Sequence, residues 1–302
     1  MAKLCEGVIA AMVTLFNEDY SVDEEGIKEQ VDFLIEGGVD GILVLGSLGE
    51  FMNLPSREER EKVAEISVKH AEKRVPIYIG TMHTSTDEAI HLTKHAQNIG
   101  ADAAAIVVPY FFPLSDDAVY NHYRAVAEEV GIPIILYNFP SCTGINISPQ
   151  VVGRLAREYD NIIGIKETID SVMHMRKCLE ITQALDFKVI TGSEDHALSI
   201  LTMGGHGFVS GTANFAPEYT VRIYKSFKEG NLSEAVKTYW DLMKIRQLWN
   251  INAPGPVLIK FVMAEMGRNI KPVTRRPLIP LNERQKQKAR EIIQRVGLGA
   301  RR

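Results

Sequence analysis

Cysteine is scarce in this chain. Cys5, Cys142 and Cys178 are the only three in 302 residues, and they stand far apart with no paired spacing. That excludes a disulfide framework and a cysteine-rich zinc site, and it suits a reducing compartment, so a cytoplasmic protein is expected. Long apolar runs are missing as well. Nothing approaches the roughly 20 residues of a membrane-spanning helix, and Met1 to Gly7 lacks the apolar core of a signal peptide.

Surplus charge of one sign is also lacking. The formal net charge is -4, and basic residues are scattered apart from Arg275-Arg276 and Arg301-Arg302, so there is no electrostatic footprint for nucleic acid. No G-x-G-x-x-G follows the first apolar run, which removes the usual signature of a dinucleotide-binding doubly wound sheet. No linker or low-complexity segment interrupts the sequence.

What remains is ordinary globular material, 45% hydrophobic and 24% charged, in which short apolar runs alternate with amphipathic stretches. The runs are Val8 to Leu15, Gly41 to Leu45, Val75 to Gly80, Ala103 to Val108, Pro133 to Tyr137, Ile162 to Lys166, Lys188 to Thr191 and Gly207 to Ser210, eight candidate strands. Asp23 to Glu36, Ser56 to Lys73, Thr86 to Asn98, Asp116 to Glu129 and Asp170 to Ala184 read as helices with polar or acidic capping ends. Strand and helix in alternation mean a parallel sheet. Gly37-Gly38, Gly100 and Gly204-Gly205, each just before a strand, fit helix C-caps and form a weak internal repeat. The expected fold is α/β, a (β/α)8 TIM barrel over residues 1–225. Helical patterns at Leu232 to Trp249, Pro256 to Met266 and Asn282 to Val296 predict a C-terminal helical extension over residues 226–302, packed on the barrel.

In such a barrel the chemistry sits at the carboxyl ends of the strands. The sixth run delivers Lys166 there, followed by Glu167 and Thr168. Desolvation disfavours an ammonium, so a lysine held in such a place can attack a carbonyl as the neutral amine and form a Schiff base. The bland alternative is a lysine that reaches solvent or pairs with Glu167. The fifth run ends in Tyr137-Asn138-Phe139-Pro140, where a tyrosine can relay protons or simply fill the core. The second ends in Gly46-Ser47-Leu48-Gly49-Glu50, whose glycines allow a tight turn with exposed amides, able to hold a carboxylate or to be a plain loop. The seventh ends in Gly192-Ser193-Glu194-Asp195, carboxylates suited to sugar hydroxyls or to helix capping, and the eighth in Val209-Ser210-Gly211-Thr212, small enough to admit a substrate.

Other candidates carry less. His91 and His95, four apart on a predicted helix, have no further ligands nearby and read as surface residues rather than a metal site. Cys142 has no histidine near it in sequence and reads as a free thiol. The glycines from Gly204 to Gly211 are compatible with a bound phosphate, which nothing else requires.

Gly46-Ser47-Leu48-Gly49-Glu50, Tyr137-Asn138 with Pro140 and Thr143-Gly144, and Gly164-Ile165-Lys166, in this order and spacing, resemble the pyruvate-dependent class I aldolases grouped as the dihydrodipicolinate synthase and N-acetylneuraminate lyase family. The resemblance runs through essentially the whole chain. It implies that Lys166 is the Schiff-base lysine, Tyr137 the proton relay, and Ser47 with the amide of Leu48 the holder of the pyruvoyl carboxylate. Gly46, Thr168, Gly192, Glu194, Asp195 and Val209 are the remaining substrate-binding candidates, and no metal or organic cofactor is implied. The family is usually a tetramer of two tight dimers, which the resemblance implies here too.

The departures narrow the activity. Dihydrodipicolinate synthases usually carry threonine at the positions of Ser47 and Leu48, a second relay tyrosine at that of Phe111, and at that of Cys142 an arginine that binds the carboxylate of the aldehyde partner. Cysteine cannot replace a guanidinium fork. Tyr137-Asn138-Phe139-Pro140, and Asn161 to Lys166 through Thr168-Ile169-Asp170-Ser171, resemble most the branch that includes 2-keto-3-deoxygluconate aldolases. The expected activity is reversible cleavage of a 2-keto-3-deoxy sugar acid to pyruvate and an aldehyde. Dihydrodipicolinate synthesis, a neuraminate-type lyase, a keto-deoxy sugar acid dehydratase and a non-catalytic keto-acid-binding barrel remain the alternatives.

Overall fold

The eight apolar runs are buried on nearly every residue, so each strand must be covered on both faces, and a parallel sheet closed on itself meets that demand. A computed structural model describes residues 4–299; residues 1–3 and 300–302, including the Arg301-Arg302 pair, lie outside them. The strands are β1 (Gly7–Ala11), β2 (Gly41–Val44), β3 (Ile77–Gly80), β4 (Ala103–Val107), β5 (Ile134–Asn138), β6 (Ile162–Glu167), β7 (Lys188–Thr191) and β8 (Gly207–Ser210). They pair in sequence order, all parallel, and β8 returns to β1 to close the barrel. This is the (β/α)8 TIM barrel, with further helices after it at Leu232–Arg246, Gly255–Glu265 and Glu283–Val296.

Helices start where a side chain can satisfy a free amide. Asp23, Ser56, Ser115, Ser148, Ser171, Asn231 and Asn282 each accept from an N–H in the following first turn. Gly38, Gly100 and Gly204 have φ of 80°, 82° and 89°, the left-handed backbone that ends a helix before the next strand. The helices Pro149–Glu158 and Pro217–Lys228, and the short Ala197–Thr202, have no counterpart among the expected ones. Two of them open on proline, which suits the first helical position and hides the start from a periodicity count.

β1 is shorter than its apolar run. It stops at Ala11 because Asn214 takes over: its Nδ2 donates to the Ala11 carbonyl at 2.8 Å and its Oδ1 accepts from Val13 N at 3.1 Å. The side-chain amide thus takes over from β8, while Met12 N still donates to the Leu43 carbonyl of β2 at 3.0 Å, and Met12 to Leu15 become a buried loop at the carboxyl end of the barrel.

The core has two layers. Ile9, Leu43, Tyr78, Ile135, Ile190 and Val209 fill the barrel interior with Ala11, Ala103 and Ala105, while a larger cluster lies between strands and helices. Backbone approaches are close enough to exclude a methyl at some points. A Cβ on Gly80 would sit 2.1 Å from the Leu45 carbonyl oxygen. Gly80→Ala is therefore expected to lower unfolding free energy by about 1–3 kcal/mol, read as a shifted denaturant midpoint. Gly131→Ala, whose Cβ would meet nothing nearer than 3.5 Å, should leave the midpoint nearly in place.

Candidate active site

Strand alternation sorts the ends of β5 and β6 into an inner and an outer pair. Tyr137 lies opposite Lys166 and Asn138 opposite Glu167 across the two strands. Tyr137 and Lys166 turn into the barrel mouth, 1% and 4% exposed. The Lys166 Nζ stands 3.6 Å from the centroid of the Tyr137 ring, and the Tyr137 hydroxyl is 3.2 Å from Ser47 Oγ, arriving from the end of β2. Phe139 stacks on the Tyr137 ring with centroids 5.8 Å apart and planes 13° from parallel, which fixes the phenol's tilt. Glu167 faces the opposite side of the sheet, hydrogen-bonded to Asn138 at 2.9 Å, so it does not neutralise Lys166.

The loop after β2 turns by a different device from the one its glycines suggest. The left-handed residues are Leu45 (φ 58°) and Glu50 (φ 55°), while Gly49 is there because a Cβ would come within 2.8 Å of the Leu45 nitrogen. Glu50 is fully buried and locks the loop from below. Lys260, on the helix Gly255–Glu265, donates to its Oε1 at 2.5 Å and to the Val273 carbonyl at 2.8 Å. Asn53 Nδ2 and the Arg275 amide add bonds at 3.1 and 3.4 Å. Burial pulls Lys260 down to about 8, against the upward pull of the Glu50 carboxylate. Thr14 completes the loop by donating to the Gly49 carbonyl at 2.6 Å.

A cavity of about 200 Å³ opens between these elements. Ser47, Leu48, Tyr137, Lys166, Thr168, Gly192, Glu194 and Val209 line it; Gly46 and Asp195 do not. Thr168 Oγ1 is buried without a hydrogen-bond partner, and a Cβ on Gly192 would sit 1.9 Å from it. A polar atom left in that state is a candidate for a ligand hydroxyl. Glu194 is otherwise engaged. It accepts from Thr212 N and Oγ1 at 2.8 and 2.9 Å, from Ser210 Oγ, and from Arg246 at 2.6 Å. Arg246 also forks onto Asp195, holding that carboxyl below its ordinary range against the effect of burial. Ser193, rather than either carboxylate, accepts from the Asp195 amide at the start of the short turn Glu194–His196.

Sequence reasoning missed Arg246 and Trp249, which reach the cavity from beyond residue 226, and Phe139 in its wall. Arg246 and Trp249 sit in the pattern of an ordinary amphipathic helix, so no local signal marked them, whereas Phe139 follows β5 directly and stood in the Tyr137-Asn138-Phe139-Pro140 motif without a role. Among the weaker candidates, His91 and His95 each meet a carboxylate of the preceding helix, Glu61 and Glu65, at 3.1 Å on the surface. Cys142 is exposed, its thiol pushed up by partial burial, and Phe111 is 85% exposed. The stretch from Gly204 to Gly211 is β8 with its flanks, so Gly204 and Gly205 lie at the end of the barrel remote from the cavity.

Reactive and polar side chains gathered at the carboxyl ends of a closed parallel barrel define an enzyme of the (β/α)8 class. The chain belongs to the Dihydrodipicolinate synthetase family, whose pattern matches residues 4–296. It is 42% identical over 292 residues to an uncharacterized DapA-like lyase of Thermococcus onnurineus, covering 96% of this chain and 99% of that one. It is 36% identical over 299 residues to the putative 2-dehydro-3-deoxy-D-gluconate aldolase YagE of Escherichia coli, covering 98% and 99%. The crystal structure of YagE in complex with pyruvate superposes with a TM-score of 0.94 over 98% of this chain and 100% of that one, at 36% identity. No helix of the described residues is long and apolar enough to cross a membrane.

Removing one partner of a buried ion pair leaves the other charge stranded. Lys260→Met should cost about 3–5 kcal/mol of stability, measured by denaturant titration. Adding Glu50→Gln to that variant should recover part of the loss.

Proposed function

We propose that the protein is a Schiff-base lyase that cleaves a 2-keto-3-deoxy sugar acid reversibly to pyruvate and an aldehyde. The observation that carries this reading is the inner pair: a buried lysine amine over the Tyr137 ring, with the Ser47–Tyr137 hydroxyl contact beside it at 3.2 Å. Lys166 attacks the C2 ketone and water leaves, giving a protonated imine. Ser47 Oγ and the Leu48 amide hold the carboxylate. Tyr137 receives the proton of the C4 hydroxyl as the C3–C4 bond breaks and its electrons flow into the imine, passing it on through Ser47 or the substrate carboxylate. The aldehyde departs, the enamine is protonated at C3, and water hydrolyses the imine to release pyruvate. Every step uses side chains already at the cavity, and neither metal nor organic cofactor takes part.

Two observations favour a sugar acid. Cys142 offers no guanidinium for a carboxylate on the aldehyde. The orphaned Thr168 hydroxyl lines the cavity next to Gly192 and the Lys166 side chain, and a hydroxyl-bearing substrate would give it a partner. Escherichia coli relatives named as 2-dehydro-3-deoxy-D-gluconate and 2-dehydro-3-deoxy-D-pentonate aldolases, each 36% identical, point the same way. A 36% identical relative in Methanothrix thermoacetophila is named 4-hydroxy-tetrahydrodipicolinate synthase, which keeps that reaction as the second reading. Residues 1–225 form the catalytic unit in this reading, and 226–302 an extension that supplies Lys260 and Arg246. We further propose a homotetramer of two dimers in the cytoplasm; light scattering giving a monomer at micromolar concentration would overturn the assembly.

Borohydride in the presence of pyruvate should reduce an adduct onto Lys166 that disappears in Lys166→Ala. Tyr137→Phe should still form it while losing about 10²–10⁴ in kcat for aldol cleavage. Pyruvate release from 2-keto-3-deoxygluconate should exceed condensation of pyruvate with aspartate semialdehyde; the reverse order would overturn the substrate assignment.

A further inference from the structure

Behind the Tyr137–Lys166 pair lies a second buried cluster that the chemistry above does not use. Glu167, 0% exposed, accepts from Asn138 Nδ2 at 2.9 Å and from the Cys178 thiol at 3.5 Å, and its Oε2 lies 3.3 Å from His174 Nδ1. His174 and Cys178 stand one turn apart on the helix Val172–Thr182, packed against β6. Ile147 closes the circuit: its carbonyl is 3.1 Å from His174 Nε2, and its amide donates to Asn138 Oδ1 at 3.0 Å. Asn138, Glu167, His174 and Ile147 thus form a ring of polar contacts directly behind the two residues that face the cavity.

Proton counting narrows the state of His174. The Ile147 carbonyl can only accept, so Nε2 carries a proton. In a neutral ring the Nδ1 lone pair would then face a carboxylate oxygen at 3.3 Å inside the protein. The Cys178 proton cannot cure this, because its sulfur is nearer Glu167 (3.5 Å) than Nδ1 (3.8 Å) and donating to either leaves the Nδ1–Glu167 contact unbridged. One more proton between Nδ1 and Oε2 removes the clash, and on the ring it also gives Glu167 a counter-charge. Burial works against the charged ring, but the Glu167 carboxylate and the Ile147 carbonyl outweigh it, and His174 titrates above the ordinary histidine value. The other groups around the pair fit this state. Lys177 opposes it weakly, Cys178 is held as the thiol by burial and by Glu167, and Tyr123, on the helix Asp116–Glu129, is kept a phenol by burial while donating to the Ile106 carbonyl.

We propose that protonated His174 is a positioning residue for the reaction, fixing through Glu167 and Asn138 how the ends of β6 and β5 present Lys166 and Tyr137 to the substrate. The inference rests on the Schiff-base reading of Lys166. Because the folded pKa is raised, the stabilisation from the pair is fully present below the ordinary histidine value, about 6.5, and is lost as pH rises through the raised one. Above that point Glu167 keeps Asn138 and Cys178 as donors but has lost its counter-charge, and the brace behind the strand ends is weakened.

The test uses the full-length protein, His174→Gln and His174→Leu. Histidine-ring NMR, with the His174 signal identified by its loss in His174→Gln, should show a ring that titrates above the ordinary histidine value. Melting temperature and the rate of borohydride-trapped adduct formation with pyruvate should both fall across the range in which that signal titrates. His174→Leu should lower kcat roughly ten- to a hundredfold with little change in KM. His174→Gln, a neutral donor to Glu167, should regain part of the rate and lack the pH step, and it decides the matter if His174→Leu fails to fold. A ring that titrates at or below the ordinary histidine value, a wild-type pH step in His174→Gln, or a stoichiometric zinc ion bound by the purified protein and lost in Cys178→Ser would overturn the proposal. Normal trapping and kcat in His174→Leu would sink this inference alone. Absence of any adduct in the wild type would sink the Schiff-base reading and the positioning role with it, while the NMR would still report the charge of the pair.

Discussion

Charge allocation at the strand ends leaves Lys166 available. Three glutamates are buried there, Glu50 after β2, Glu167 on β6 and Glu194 after β7, none more than 1% exposed. In so dry a place an uncompensated carboxylate attracts any ammonium within reach. Each is already committed: Glu50 to Lys260, Glu194 to Arg246 with Ser210 and Thr212, and Glu167 to Asn138 and His174. The Lys166 amine is left over an aromatic face instead. The setting of Lys166 thus depends on cations and amides brought from other parts of the chain.

The register between β5 and β6 carries the same arrangement. Tyr137 opposite Lys166 and Asn138 opposite Glu167 place one pair inside, at the cavity, and the other outside. A slip of one residue on β6 would exchange the two sets and put a carboxylate where the amine must stand. Hydrogen bonds from Thr168 N to the Asn138 carbonyl and from Gly192 N to the Glu167 carbonyl, at 2.8 and 2.6 Å, extend that register into the loops.

The barrel was legible because its signal is repeated. Eight apolar runs and their intervening periodic stretches average out local errors, and the exceptions have local causes: Asn214 shortens β1, and proline starts hide Pro149–Glu158 and Pro217–Lys228. In the cavity, the residues that strand ends deliver were readable one at a time, since an apolar run ending in Lys166 or Tyr137 says where the side chain goes. Residues defined by pairing were not. Nothing near Glu194 in sequence says that Arg246 will occupy it, and nothing near Glu50 names Lys260, because each partner lies more than fifty positions away. Gly46 and Gly49 misled for a related reason: the strained φ values fell on Leu45 and Glu50, which only the surrounding bonds could hold there.

Lys260 and Arg246 also lie late in the chain. A polypeptide emerging from the ribosome presents all eight strands and Lys166 before either cation has been synthesised. Until then Glu50 and Glu194 lack the cations that the terminal helices bring, and Glu194 has only Ser210 and Thr212. The charge balance beside the cavity is therefore completed only when the final helices dock, so the end of the chain belongs to the cavity's electrostatics as much as the strands do.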